Sequence, residues 1–197
     1  VDHEAPLYLH QLQVPGEERY ASLALVNTRF TLSHGPVDLL DGAEAAHLWL
    51  VRHALLPDRA VLNGRQFGRL LALRDALRPL FETRASRAVP PAEPLATLNS
   101  TLAAAPSTPR LAWTADGPHR ADEPDTGNPA GAALFLLAED ATDLLTGSEA
   151  DQLTECTAQR CDRWFLRSHA ARRWCTTKCG NRVRAARAYA ARKRRPE

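Results

Sequence analysis

Cys156-Thr157-Ala158-Gln159-Arg160-Cys161 and Cys175-Thr176-Thr177-Lys178-Cys179 hold every cysteine of the 197-residue chain, and all four lie within 24 residues. The spacing is C-x4-C-x13-C-x3-C. Two close pairs separated by a short insert let a chain wrap four sulfurs around one tetrahedral ion, each short spacer bending about the metal. Thiolate donors favour zinc, with iron in a cysteine-ligated site as the alternative. Two disulfides are a further reading. They need an oxidising compartment, and the 155 preceding residues contain no cysteine to share the task. We therefore expect one Zn2+ held by Cys156, Cys161, Cys175 and Cys179. It is structural, because four thiolates leave no open position for water or substrate. His169 is a competing ligand, expected instead to be exposed on a turn.

Between the pairs, Arg163–Arg167 reads as a strand, Ser168–Ala171 as a turn and Arg172–Trp174 as a returning strand. Gly180 follows the last cysteine, and a helix is predicted from Asn181 to about Arg195. A knuckle, a hairpin and a helix at the last ligand describe a small treble-clef-like zinc finger. Such a unit is too small to bury a core, so metal binding, about 10–16 kcal/mol in comparable zinc peptides, dominates its folding.

The net charge of +2 conceals a division. Residues 1–150 carry 12 Lys/Arg against 19 Asp/Glu, and residues 151–197 carry 13 against 4. An acidic body with a basic tail is the asymmetry expected when one end meets a polyanion. On the last helix Val183, Ala186 and Ala190 share a stripe expected to pack on the hairpin. Arg184, Arg187 and Arg194 lie on a neighbouring stripe, Arg182, Arg192, Lys193 and Arg195 surround the end, and Arg172 and Arg173 approach from the hairpin. This cationic surface suits DNA, where arginine bonds guanine bidentately in the major groove and phosphate contacts release counterions. Other uses stay open: a solvated face, RNA with Trp164, Trp174 and Tyr189 stacking on bases, or an acidic protein partner. One finger is a small footprint, so a homodimer formed through the body is a further expectation.

Outward from the finger, 44% hydrophobic and 24% charged residues describe a globular chain rather than a disordered one. The longest apolar stretch, Ala130–Ala138, is far shorter than the roughly 20 residues of a membrane span. With no secretory pattern at the start, a cytoplasmic protein with no membrane partner is expected. A trimmed leader stays open, because the chain starts at Val1 and contains no methionine. The body reads as mostly helical. Asp41 with Glu44 suits a capping box opening a helix to about His53. Leu70, Leu73, Leu77, Leu80 and Phe81 mark a helix from about Gln66 to Arg84, which Pro79 should kink or divide. A third helix covers Ala92–Ala104. Asn128 as N-cap, Pro129 and the terminating Gly147 delimit a fourth. Strands are predicted at Ser22–Val26, Arg110–Thr114 and Gln152–Glu155, and Ala115–Asn128 as a loop or hairpin tip. The fold class is α+β: a helix-rich domain over residues 1–147 with a few short strands, then the finger over 148–197.

The body holds no phosphate loop, nucleophile elbow or metal motif. Asp2-His3-Glu4 is a chain-end cluster, and His47 and His53 do not share a helix face. Catalysis is not expected. The alternative is an enzyme or small-molecule-binding protein whose pocket gathers Asn27, Arg29, Asp38 and His47, with the finger as scaffold.

Arg172-Arg173-Trp174-Cys175-Thr176-Thr177-Lys178-Cys179-Gly180-Asn181-Arg182 closely resembles the CGNR zinc-finger family, whose name Cys179-Gly180-Asn181-Arg182 spells. Cys161-Asp162-Arg163-Trp164-Phe165-Leu166 also fits that family's cysteine followed by an aromatic-aliphatic strand. The body resembles the ABATE domain that normally precedes this finger, through Leu25-Val26-Asn27-Thr28 and Pro36-Val37-Asp38-Leu39-Leu40-Asp41. The resemblance implies a bacterial stress-response transcription regulator. Its body would sense or bind a small effector, and its finger would bind DNA.

Overall fold

A computed structural model describes residues 13–32, 35–104, 108–123 and 127–193. In chain order the elements are α1 (Ala21–Val26), β1 (Arg29–Leu32), β2 (Gly35–Asp38), α2 (Ala43–Arg52), α3 (Gly64–Ser86) and α4 (Ala92–Ala104). They continue as β3 (Thr108–Thr114), β4 (Gly117–Glu123), α5 (Pro129–Thr146), a 3-10 turn (Ala150–Gln152), β5 (Leu153–Glu155), β6 (Trp164–Leu166) and α6 (Thr177–Lys193). The strands form three separate two-stranded antiparallel ladders, β1–β2, β3–β4 and β5–β6. The class is α+β and helix-rich, as expected.

The core lies between α3, α5 and α1. Leu70, Leu73, Leu77, Leu80 and Phe81 of α3 meet Leu134, Leu137, Ala138, Ala141 and Leu144 of α5, with Leu23 and Leu25 of α1. Asn63 and Gln66 form a reciprocal capping box that starts α3. Asn128 caps α5 by accepting from the Gly131 amide, with Pro129 at the first helical position.

Several local expectations are corrected. Ser22–Val26 is not a strand but the body of α1. Asp140 of α5 accepts from the amides of Ala21 and Ser22 at 3.3 and 2.8 Å, satisfying donors that a helix start leaves open. The run is buried on every side, so its pattern carried no helical period. Asp41 forms no capping box; α2 begins after Gly42, whose backbone is extended. Pro79 does not divide α3, which is held in the core by Leu77 before it and by Leu80 and Phe81 after it. The Ala115–Asn128 stretch supplies β4, which pairs with β3 across a turn at Ala115-Asp116, where Gly117 takes a φ of 110°. That hairpin leaves Leu111 and Trp113 exposed.

The core crosses residue 147. Leu153, Trp164 and Leu166 of the β5–β6 ladder belong to the same apolar cluster as α3 and α5. Trp164 meets Phe81 edge-on at 5.8 Å between ring centroids. The segment before α1 completes the contact, with the Leu166 amide donating to the Pro15 carbonyl at 2.9 Å. Gly16 adopts a φ of 103° there, and a β-carbon on it would lie 2.8 Å from side-chain carbons of both Leu166 and Leu23. Only glycine fits both demands.

Candidate metal centre

Cys156 follows β5 and Cys161 precedes β6, so the first pair sits in the turn that joins the ladder. Cys175 precedes α6 and Cys179 lies in its first turn. The helix starts at Thr177 rather than at Asn181, which places the last ligand inside the helix. The predicted hairpin of Arg163–Arg167 with Arg172–Trp174 does not form. Trp164–Leu166 pairs with Leu153–Glu155 instead, because the Cys156–Cys161 knuckle already joins those two strands. The returning segment is attached only locally, where the amide and hydroxyl of Thr157 both donate to the Arg173 carbonyl at 3.1 Å.

The four sulfurs lie within 4.8 Å of one another. Cys175 Sγ is 3.7 Å from both Cys161 Sγ and Cys179 Sγ. Zinc–sulfur bonds of about 2.3 Å set a tetrahedral edge of about 3.8 Å. The site therefore has the size of a four-thiolate ion cage, and the four cysteines are positioned to bind one metal ion, consistent with one structural zinc. Cys156, Cys175 and Cys179 are buried and Cys161 is half-buried. Val14, Phe165 and Ala158 cover the sulfurs with apolar surface. Without a cation the sulfurs compete for protons. Hydrogen bonding from Cys161 and then Cys175 lowers the Cys156 thiol, while the thiols around Cys175 raise that of Cys175 itself. A divalent ion removes that competition by accepting all four as thiolates.

The arginines of the finger divide into two groups. Arg172 bonds the carbonyls of Trp174 and Cys175 at 3.2 and 2.9 Å, and its guanidinium lies 5.6 Å from the Phe165 ring centroid. Arg184 lies over Trp174 and donates to Asn181. Arg182 reaches Cys179 Sγ at 3.7 Å. By contrast the side chains of Arg173, Arg187, Arg192 and Lys193 are exposed and make no hydrogen bond or ion pair to any described residue. Arg194 and Arg195 lie outside the described residues, as does Asp2-His3-Glu4. His169 is exposed. Only Cys179 and Gly180 of α6 are buried, and Val183 is half-buried. Ala186 and Ala190 do not pack on the hairpin as expected; they are exposed, because the finger holds too little apolar surface to reach them. Gly180 is the close point, since a β-carbon there would lie 2.9 Å from the Trp174 ring.

Of the body residues singled out in the sequence, Asn27, Asp38 and Arg29 are paired within the chain. Asn27 is buried, accepts from the Trp164 amide at 2.9 Å and donates to its carbonyl at 2.8 Å and to Glu17 at 2.7 Å. Asp38 takes a bidentate bond from Arg74 at 2.6 and 2.8 Å. Burial alone would raise its carboxyl, but Arg74 and the Leu40 amide outweigh that and hold it below the usual range. Arg29 pairs with Asp75 at the surface. His47 is half-buried on α2, with no partner for Nε2 among the described residues.

Sequence reasoning missed the groups that join the finger to the body. Asp162, next to Cys161, accepts from the amide and hydroxyl of Thr31 at 2.8 and 3.0 Å. Arg78 donates to the Asp162 carbonyl at 2.7 Å. Arg74 stands on the apolar stripe between Leu70 and Leu77, and a charge at such a position was the available signal of a buried pair. The described residues also form two open clefts. One, of about 560 Å³, runs beside the metal centre along Val14, Glu18, Arg172 and Thr176. The other, of about 230 Å³, lies between the starts of α3 and α5, lined by Arg65, Arg69 and Asn128.

No helix among the described residues is long and apolar enough to cross a membrane. A comparison with curated proteins yields no match. Residues 152–193, which contain the sulfur cage and α6, match the CGNR zinc finger. Residues 20–148, the helical body that carries Asn27 and Arg74, match the family described as "Putative stress-induced transcription regulator", and with more than half of its length so accounted for the chain belongs to the ABATE family.

Proposed function

We propose that this chain is a DNA-binding transcription regulator acting in the cytoplasm, with α6 as the element that meets the duplex. The observation that carries the reading is the uncovered length of α6. Its 17 residues span about 25 Å, and beyond the half-buried Val183 every described residue of it is exposed. A bare α-helix fits a major groove. Arg173, Arg187, Arg192 and Lys193 supply cations that no described carboxylate neutralises. The body senses a small effector or holds two copies together, and dimerisation would double a footprint that one finger makes small.

Fluorescence anisotropy of zinc-loaded protein on duplex from its own promoter region, at several salt concentrations, tests this. If about five phosphates are neutralised, log K falls with log salt at a slope of roughly −4.5. Arg187→Ala should lower the magnitude of that slope by about 1. Binding that ignores salt, or no binding with zinc present, would sink the proposal.

A small-molecule-binding body is the second reading. The cleft of about 230 Å³ lined by Arg65 and Arg69 favours it, since neither arginine pairs with a described carboxylate. Calorimetric titration with small organic anions, compared between the parent and Arg69→Ala, separates the two readings.

A further inference from the structure

We infer that Arg182 belongs to the metal centre and not to the nucleic-acid face: its guanidinium donates to Cys179 Sγ and holds that sulfur in place as a ligand. Four thiolates and a divalent ion leave a net charge of −2 in a site where three of the four sulfurs are buried. Charge of that kind in a poorly solvated place calls for a counter-cation and for donors to the sulfurs. Such donors reach the sulfurs, the Arg163 amide at Cys161 among them. The Cys175 amide donates to Cys156 Sγ at 3.4 Å, and Arg182 Nη2 stands 3.7 Å from Cys179 Sγ.

The helix fixes this second contact. Cys179 and Arg182 are three residues apart in α6, so their side chains lie on one side of the helix at neighbouring heights. Arg172 brings a second positive charge to the ligand loop through the carbonyls of Trp174 and Cys175, without touching sulfur. Arg184 stays above Trp174, the ring that closes over Gly180. Three of the finger's cations thus serve its own architecture, and the face left for phosphate begins beyond them. Arg182 is a positioning residue: it acts on the metal through Cys179. The inference rests on the four-sulfur site alone, so failure of the duplex titration leaves it standing.

The test uses the full chain with zinc and cobalt ions as probes and no nucleic acid. Zinc affinity is read by competition with a chromophoric chelator for the parent, Arg182→Gln, Arg182→Lys and Arg187→Gln. Loss of an outer-shell partner weakens metal binding by about 10–100-fold, and Arg182→Gln should fall in that range. Arg182→Lys keeps the charge and should bind more tightly than Arg182→Gln, and Arg187→Gln should match the parent. In the cobalt-loaded protein the sulfur-to-metal charge-transfer band should shift for Arg182→Gln, a signature that a merely destabilised finger does not produce. Far-UV circular dichroism at saturating zinc verifies that each variant is folded. A zinc affinity for Arg182→Gln within about twofold of the parent overturns the inference, as does an unmoved cobalt band.

Discussion

Helices α5 and α6 are nearly equal in length, 18 and 17 residues, yet they are held by different forces. Ten residues of α5 are buried, and water exclusion fixes its place against α3 and α4. Two residues of α6 are buried, and one of them is Cys179, positioned to bind the metal ion. An isolated helix of this length is marginal in water. Alanine-rich composition and cations in the last turn favour α6, but its anchor is Cys179. One helix is part of a core. The other is an arm whose attachment is coordination chemistry. Burial locates α5 along its whole length, whereas the cysteine cage locates α6 at one end and leaves most of the rest exposed.

Metal removal should break the comparison most sharply. Stripping zinc with a strong chelator removes a contribution on the order of 10–16 kcal/mol from the finger. Hydrogen exchange should then show the α6 amides losing protection while those of α3 and α5 keep theirs. Loss of protection throughout α5 would mean that the body also depends on the ion. Apolar truncation inverts the test. Leu137→Ala in α5 removes a fully buried side chain and should cost about 2–5 kcal/mol in urea melts, with zinc affinity unchanged. Trp164→Ala should cost about 3–5 kcal/mol and also weaken zinc binding, because Trp164 belongs both to the body core and to the strand that follows Cys161.

These differences track what the sequence displayed. The four cysteines, the Asn128-Pro129 start of α5 and the leucine stripe of α3 were readable, since each is a local pattern with one physical meaning. Ser22–Val26 was not, because a segment buried on all sides shows no period from which helix and strand can be told apart. The return strand failed for a different reason. Spacing brought the sulfurs together correctly, but which strands pair was settled by the knuckle between β5 and β6. The roles of Asn27 and Asp38 depend on Trp164 and Arg74, 137 and 36 residues away, and no local pattern carries such pairs.

Glu17 stands where the two regimes meet. It accepts from the Val14 amide at 2.9 Å and from Asn27, so it touches both the cover of the sulfurs and the bracket on Trp164. Burial pushes its carboxyl up to about 7, against those two bonds and the attraction of Arg163. A folded-state value above the ordinary 4.5 means that the native chain keeps a proton which the unfolded chain has released. Stability therefore falls as pH rises from about 4.5 to about 7, and this contribution is level beyond. In zinc-saturated protein, Glu17→Gln should lose that slope, a difference of about 1–3 kcal/mol between mildly acidic and mildly alkaline urea melts. Parallel pH profiles for parent and variant would mean that Glu17 ionises as freely in the folded chain as in the unfolded one.

The smallest effect should come from the arm itself. Tyr189 is 71% exposed near the far end of α6, ten residues beyond Cys179. Truncating a large aromatic side chain in the core costs several kcal/mol, but Tyr189→Ala should change the urea midpoint by less than about 0.5 kcal/mol, and zinc affinity not at all. Alanine is also the better helix former, so the sign can favour the variant. A larger loss would mean that the distal turns of α6 are covered in solution, by the body or by a second copy. Such cover would remove the distinction between the two helices, since α6 would then also be placed by burial. If duplex affinity falls while stability holds, Tyr189 contributes to a bound partner and to nothing within its own chain.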